Sequence, residues 1–539
     1  MPGWNFAEIW EVCARRVPDT VALRHGEREI TWSELDRRAN GIARTLLGAG
    51  AGEQDKVAQY LTNCPEYLES MFGVFKAGLV PVNTNYRYVD DELVYLWDNA
   101  DAVAVVFHGT FAERIERIRD RVPRVRTWLW VDDGSGPCPP WAVPYEDAAG
   151  ADGERVEAPW GRDGHQLLLM YTGGTTGMPK GVMWRQDDLI HAVLPTVNPL
   201  YGQPDADYEA LAASIQGPGL QLLPACPLMH GTGQFTAFIG LSSAGSVTTL
   251  TSRHFDVVEL LDTIQARRIQ SLTIVGDAFA KPILAELDAH PGRWDLSSLI
   301  VITSSGVMWS EPVKQALLAH NPTMMLIDAF SSSEAIGLGQ SVSTAGNEAA
   351  TARFSLGDNA RVITDDGRDV VPGSGEIGRV AVRGHTPIGY YKDPEKTAAT
   401  FVTIDGETYS MPGDYARVEA DGTLTLLGRG SVCINTGGEK VFPEEVEEVL
   451  KRHPAVLDAV VVGLPDDTFG ESVNAVVQPR PDQTVEPEAL IGWVKDHLAH
   501  YKAPKRVVVV DTIGRAPNGK VDYRRLRGVA AAEVGIELD

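Results

Sequence analysis

Cysteine is scarce: five residues in 539 (Cys13, Cys64, Cys138, Cys226 and Cys433), scattered and without a Cys-x-x-Cys pair. An odd, sparse set excludes a disulfide framework and a cysteine-based structural zinc site, so all five are read as reduced thiols. Basic residues are also in deficit, 48 Lys and Arg against 73 Asp and Glu, for a formal charge of −25. Contacts along a polynucleotide need clustered Lys and Arg, so a general nucleic-acid binder is excluded, whereas a local nucleotide pocket is not. No uninterrupted apolar run is long enough to cross a bilayer. The opening segment MPGWNFAEIWEVCARRVPDT has no basic start leading into an apolar core, so no signal peptide is expected and the cytoplasm is the expected compartment.

What is present suits a globular chain, with 44% apolar and 22% charged residues, and 539 residues exceed one ordinary core, which implies two or more domains. Thr31-Trp-Ser-Glu34 has capping-box spacing and predicts a helix to about Leu47. Lys56–Leu61 reads as a strand, Pro65–Ala77 as a helix, Leu79–Asn83 leads back towards a strand, and Asp101–Phe107 is another buried strand. This rhythm predicts an α/β fold whose mostly parallel sheets are covered by helices. Gln166–Met170, Gln270–Val275, Ser298–Thr303 and Met324–Asp328 are further strand runs. Ligands of open parallel sheets collect outside the carboxyl ends of strands, so the polar residues that follow these runs are candidates for one site. After about Gly428 the pattern becomes that of a small α+β domain, with helices at Pro443–His453 and Pro487–His500. The expected division is 1–430 and 431–539, with a hinge near Ser431 beside Gly428 and Gly430. The Ala-rich tail at Val529–Val534 is expected to be poorly ordered.

The strongest chemical signal is Tyr171-Thr-Gly-Gly-Thr-Thr-Gly-Met-Pro-Lys180-Gly181, directly after the apolar run Leu167–Met170. Gly173, Gly174 and Gly177 admit close backbone approach. Thr172, Thr175 and Thr176 supply hydroxyls for phosphate oxygens, and Lys180 adds a cation. It is not the P-loop of NTPases, which needs Ser or Thr after Gly-Lys, because Lys180 stands between Pro179 and Gly181. The run resembles instead the phosphate loop of the adenylate-forming superfamily, which includes acyl-CoA synthetases, luciferases and peptide-synthetase adenylation domains. The resemblance extends over nearly the whole chain, with the motifs in the family's order.

The likeness implies a role for each later motif. In Phe330-Ser-Ser-Ser-Glu334, Phe330 would stack on adenine, Ser333 would contact the α-phosphate and Glu334 would help hold Mg²⁺, as suits a carboxylate beside polyphosphate. In Tyr409-Ser-Met-Pro-Gly-Asp414, Asp414 would bind the ribose hydroxyls, as would Arg429; Pro412 departs from the usual Thr. Gly428–Glu447 resembles the crossover between the two family domains, with Ser431 where relatives commonly have Asp or Lys. Gly437 and Gly438 would line the pantetheine tunnel, and Lys440 is either a CoA phosphate contact or solvated. In Arg515-Ala-Pro-Asn-Gly-Lys520, Lys520 would reach the carboxylate and the α-phosphate, where a cation stabilises developing charge. His230 matches a histidine between the acyl pocket and the CoA tunnel, a packed core histidine being the alternative; Asp277 would border that pocket or cap a helix.

The expected activity is therefore that of an acyl-CoA synthetase using ATP, Mg²⁺ and coenzyme A. In acetate-using relatives a Trp follows the adenine-stacking aromatic and closes the pocket floor. Here that position is Ser331, and Ser304, Ser305, Gly306 and Gly337 are also small, which leaves volume for a large acyl group. The runs Tyr171–Arg185 and Gly428–Glu447 look most like actinobacterial synthetases acting on fatty acids or steroid side-chain acids. The alternatives are an adenylating enzyme serving a separate carrier protein, a luciferase-like oxygenase and a non-catalytic nucleotide-binding protein. Only 19 residues follow Lys520, so no fused carrier is expected and such an enzyme would need a separate one. The expected partners are the acid, ATP and CoA, without nucleic acid or a membrane segment; a homodimer is admitted, but the residues do not fix the oligomeric state.

Overall fold

The computed structural model describes residues 3–151, 153–172, 178–347, 349–436, 439–466, 470–516, 519–536 and 538. Local signals act where expected. Thr31 Oγ accepts the Glu34 N–H at 3.2 Å and opens helix Trp32–Gly48. Pro65 occupies the first turn of helix Pro65–Lys76, where its missing N–H costs nothing. That helix stops at Gly78, whose φ of +64° disfavours a side chain. Strand Val80–Asn83 follows at once, with all four residues buried.

The chain divides into two compact units, Met1–Ala349 with Val382–Ser410, and Ala350–Ala381 with Met411–Asp539. The first unit contains an eight-stranded sheet in the order Gly389–Tyr390, Lys180–Arg185, Leu167–Thr172, Val80–Asn83, Lys56–Tyr60, Ala102–His108, Thr127–Val131 and Val143–Pro144. Its pairings are parallel from Leu167–Thr172 onward and antiparallel at the Lys180 edge. A second run of strands begins with Arg28–Thr31 antiparallel to Val21–His25. It continues in parallel through Ser246–Thr249, Gln221–Pro224, Ser271–Ile274, Val301–Ser305 and Met325–Ser332, and closes with antiparallel Ala335–Ser343. Phe6, Trp10, Phe72, Phe75 and Phe238 pack with ring centroids 4.8–6.0 Å apart and bind helices Phe6–Arg16, Pro65–Lys76 and Gly231–Ser242 into one core.

In the second unit, Arg353–Leu356, Thr423–Arg429, Asp414–Val418 and the start of Ile377–Arg383 pair antiparallel in that order. A long hairpin, Val456–Asp466 with Gly470–Pro479, takes Arg506–Val509 as a parallel neighbour and packs against helices Pro443–Lys451 and Tyr523–Val534. The tail expected to be disordered is thus the end of a helix. Ala530 and Ala531 are buried with Leu526 against Val460 and Val476, because small side chains let the helix approach the sheet closely.

Buried charge knits the first unit. Lys76 Nζ, fully buried, lies 2.5 Å from Glu11 and 2.8 Å from Asp36, and Arg162 reaches Glu11 at 2.9 Å. Burial alone would raise the Glu11 carboxyl, but Lys76 and Arg162 outweigh it and lower it from 4.5 to about 2. Its stabilisation is therefore complete above pH 4.5 and is lost as pH falls towards about 2. Lys76→Met would leave the carboxylate short of a cation at a cost of about 3 kcal/mol. The expected result is a lower urea midpoint at pH 7, with the gap from wild type narrowing in acid; an unchanged midpoint would contradict it.

Candidate active site

Strand Leu167–Thr172 carries the phosphate-loop motif to the edge of the eight-stranded sheet, and its antiparallel partner sets Thr172 opposite Lys180. These two residues form the neck of the loop; Gly173, Gly174, Thr175, Thr176 and Gly177 lie outside the described residues. Lys180 Nζ pairs with Asp393 at 2.8 Å, and this ammonium holds the Asp393 carboxyl below its ordinary range. Lys180 also lies 6.0 Å from the centre of the Tyr390 ring, whose hydroxyl donates to Glu334 Oε1 at 2.8 Å. One tyrosine therefore joins the lysine of the first motif to the carboxylate of the second, 154 positions on in the chain.

The second motif is the turn of an antiparallel hairpin, Met325–Ser332 with Ala335–Ser343. The register shifts between Phe330 and Ser332, so Ser331 sits in an irregularity of the kind that re-aims side chains near active sites. Ser331 Oγ accepts the Gly337 N–H at 3.4 Å. The turn is gripped on two sides: Trp184 Nε1 donates to Ser333 O at 2.9 Å, and Ser410 Oγ to Glu334 O at 2.6 Å. Phe330 and Glu334 are buried, whereas Ser331 and Ser333 are half-buried. Just upstream, burial pushes the Asp328 carboxyl up to about 6 despite Lys314 at 3.4 Å.

His230 precedes helix Gly231–Ser242, and the start of that helix closes on the same place. A methyl group built on Gly231 would lie 3.8 Å from Ser333 Oγ, and one on Gly306 would lie 3.7 Å from Thr232 Oγ1. An N-terminal helix end has N–H groups and a positive dipole end to offer an anion. Of the other pocket candidates, Ser304 is fully buried and accepts the Gly276 N–H at 2.8 Å. The Asp277 carboxylate receives Ser310 N at 2.9 Å and Ser310 Oγ at 2.8 Å, with Lys281 3.3 Å away, so it fastens the segment after Gly306. Ser305 is half-buried, and Gly306 and Gly337 are exposed.

The second unit holds the remaining candidates. Asp414 and Arg429 are register partners on adjacent strands. Thr436 is paired with Glu439 and Asn435 with Lys440, while Gly437 and Gly438 lie outside the described residues. Lys520 is exposed beside buried Gly519. Gly428, read as part of a soft joint, is also a place of close approach, where an added Cβ would strike the Glu444 carboxylate.

The sequence reading missed the residues that assemble this site. Asn83 ends strand Val80–Asn83 and is buried. Its Nδ2 donates to Tyr171 O at 2.9 Å and to Met229 O at 2.7 Å, and its Oδ1 accepts the Tyr171 N–H at 2.6 Å. The root of the phosphate loop and the residue before His230 are thereby held by one side chain. Asn63 repeats the device on the same segment, donating to Cys226 O at 3.0 Å and accepting Leu228 N at 2.7 Å. Position at a carboxyl strand end was the signal that could have found Asn83.

Residues 10–391 match the family described as AMP-binding enzyme, and residues 445–520 match its C-terminal domain. The chain belongs to the AMP-binding enzyme family. Over 533 residues it is 40% identical to the medium/long-chain-fatty-acid–CoA/3-oxocholest-4-en-26-oate–CoA ligase of Mycobacterium marinum, covering 96% of this chain and 95% of that protein. It is 40% identical over 536 residues to the 3-oxocholest-4-en-26-oate–CoA ligase of Rhodococcus rhodochrous, with the same coverage of 96% and 95%. Among solved structures, the anthranilate CoA ligase AuaEII in complex with anthranoyl-AMP superposes with a TM-score of 0.83 at 23% identity, covering 99% of both chains. ATP-bound MatB from Rhodopseudomonas palustris does so with 0.80 at 24%, covering 98% of this chain and 99% of that one, and both likenesses speak for the fold. As a member of this family the chain is an AMP-forming acyl-CoA ligase, with ATP and CoA as substrates. Among the described residues no helix is long and apolar enough to cross a membrane.

Asn83→Asp keeps the shape of the clamp but turns the donor to two carbonyls into an acceptor, and each buried group left unpaired costs about 1–3 kcal/mol. Lower thermal stability is expected, with adenylation and thioester formation falling together, because both the loop root and the His230 segment lose their tie. Wild-type rates in both half-reactions would contradict this role.

Proposed function

We propose that the acid is a medium- or long-chain fatty acid or a steroid side-chain carboxylic acid, activated as its acyl-adenylate and then passed to CoA. The observation that carries this reading is 40% identity, over nearly the full length, to ligases named for those acids. The small Ser331 after Phe330 supports it, since that position leaves the floor open to a long apolar chain. In adenylation, a carboxylate oxygen attacks the α-phosphorus of ATP and pyrophosphate leaves. Thr172, Lys180 and the glycines and threonines of 173–177 cradle phosphate oxygens, and Ser333 meets the α-phosphate. Phe330 stacks on adenine, Asp414 and Arg429 hold the ribose, and Lys520 stabilises the charge that builds around phosphorus. His230 gates the way between the acyl pocket and the CoA tunnel and orients the substrate carboxylate. In the second step the CoA sulfur attacks the acyl carbonyl and AMP leaves; Gly437, Gly438 and Lys440 receive the pantetheine arm and its phosphates.

Glu334 fits a Mg²⁺ site. A magnesium ion usually takes one or two carboxylates and completes its shell with water and substrate phosphates, and Glu334 is a carboxylate linked through Tyr390 to the phosphate-loop neck. When bound, the ion would neutralise polyphosphate charge. The proposal includes a hinge at Ser431 between residues 1–430 and 431–539, which lets the C-terminal domain serve the two steps in turn. The full-length CoA-ligase relatives favour CoA over a carrier protein as acceptor, and favour ligation over oxygenation.

Substrate size tests the reading. Each additional buried methylene contributes up to about 0.8 kcal/mol, or about fourfold, until the pocket is full. Wild-type kcat/KM should therefore rise from acetate through octanoate and stay high for palmitate or a steroid acid. Ser331→Trp should abolish the long acids preferentially. A wild type that prefers acetate, or a Trp variant with the same chain-length profile, would overturn the assignment.

A further inference from the structure

Hydrogen bonds hold the described residues on either side of exposed Lys520. Upstream, Ile513 N donates to Gln478 Oε1 at 2.9 Å, and Arg525 donates to Ile513 O. Downstream, Asp522 caps helix Tyr523–Val534 by accepting Arg525 N at 2.9 Å. Between these anchors stands Arg515. Its Nε and Nη2 form a two-pronged pair with Asp458 at 2.6 and 2.8 Å, and its Nη1 donates to Gly519 O at 3.1 Å. Ala516 N then donates to Lys520 O at 2.9 Å, so the residues on both sides of the Gly519–Lys520 peptide bond are held from the Arg515 side.

Both partners are largely buried, with 21% of the Arg515 side chain and 18% of the Asp458 side chain exposed. Burial would raise the Asp458 carboxyl, yet Arg515 and Lys451 more than offset it and leave it below its ordinary range. Asp458 itself stands near the start of strand Val456–Asp466, where the register shifts between Val456 and Asp458. A buried ion pair adds little stability over an apolar substitute, and its better-attested use is to select one conformation. Only a guanidinium can bind a carboxylate with two donors and spend a third on a carbonyl; an ammonium offers a point charge without that fork.

We propose that Arg515, braced by Asp458, is a positioning residue for Lys520: it fixes the carbonyl of Gly519 and thereby the direction in which the lysine leaves the main chain. The inference rests on Lys520 being the adenylation lysine. A merely structural pair would affect both half-reactions, whereas a positioning role touches only the step that uses Lys520.

The test measures acid-dependent pyrophosphate release and, separately, thioester formation from supplied acyl-adenylate and CoA. It uses the full-length wild type, Arg515→Ala, Arg515→Lys, Asp458→Asn, Lys520→Ala and Arg515→Ala/Lys520→Ala. A misplacement near 1 Å can cost about 100-fold, so Arg515→Ala should lose adenylation on that scale and retain thioester formation. Arg515→Lys should recover only part of the loss, and the double variant should be no worse in adenylation than Lys520→Ala. If Arg515→Ala does not fold, the same split is read from Arg515→Lys and Asp458→Asn. Unimpaired adenylation in the folded Arg515 variants, equal loss in both steps, or losses that multiply in the double variant would overturn the positioning role. Full adenylation by Lys520→Ala would instead overturn the reading of Lys520 on which it rests.

Discussion

The side-chain amide of Asn83 holds together two segments that meet nowhere in the sequence. It sits at the carboxyl end of a four-residue buried strand and hydrogen-bonds Tyr171 on one side and Met229 on the other. A buried backbone group left unpaired is costly, so this single amide fixes where both segments can be. Tyr171 begins the Gly- and Thr-rich motif and Met229 precedes His230. From these two points the rest of the first unit's site follows: Thr172 opposite Lys180, Tyr390 between Lys180 and Glu334, and Gly231 beside Ser333.

The same tactic recurs beside other candidate residues. Asn63 secures the Cys226–Leu228 backbone, Trp184 and Ser410 hold the carbonyls of Ser333 and Glu334, and Arg515 holds the carbonyl of Gly519. In each case the partner is backbone, so the position of the candidate side chain is set through its main chain. Pre-organisation of this kind is what electrostatic catalysis demands, because groups already in place need not reorganise when charge develops.

Much of this was legible in the residues. The helix at Thr31, the parallel strands at Lys56, Val80, Ala102 and Leu167, and the α+β character after Gly428 follow from capping chemistry and apolar runs, which are local signals. Motif order picked out Phe330–Glu334, which lies at the turn of a hairpin. Strand Ala335–Ser343 was not legible, because its glycines and serines carry no strand propensity and its place is fixed by pairing with Met325–Ser332. Nor was the terminal helix, whose alanines read as disorder until the sheet they pack on is known. Asn83, Tyr390 and Arg515 were missed as site-building residues for one reason: each acts on a partner distant in sequence or through a backbone atom, and neither leaves a local pattern.

The central claim is that this AMP-forming acyl-CoA ligase works through an acyl-AMP. Acid-dependent exchange of labelled pyrophosphate into ATP, measured with octanoate or a steroid side-chain acid in the absence of CoA, tests it most directly. The account predicts exchange that requires both the acid and Mg²⁺ and proceeds without CoA, with AMP and acyl-CoA formed once CoA is added. Exchange that appears only in the presence of CoA, or formation of ADP in place of AMP, would contradict it.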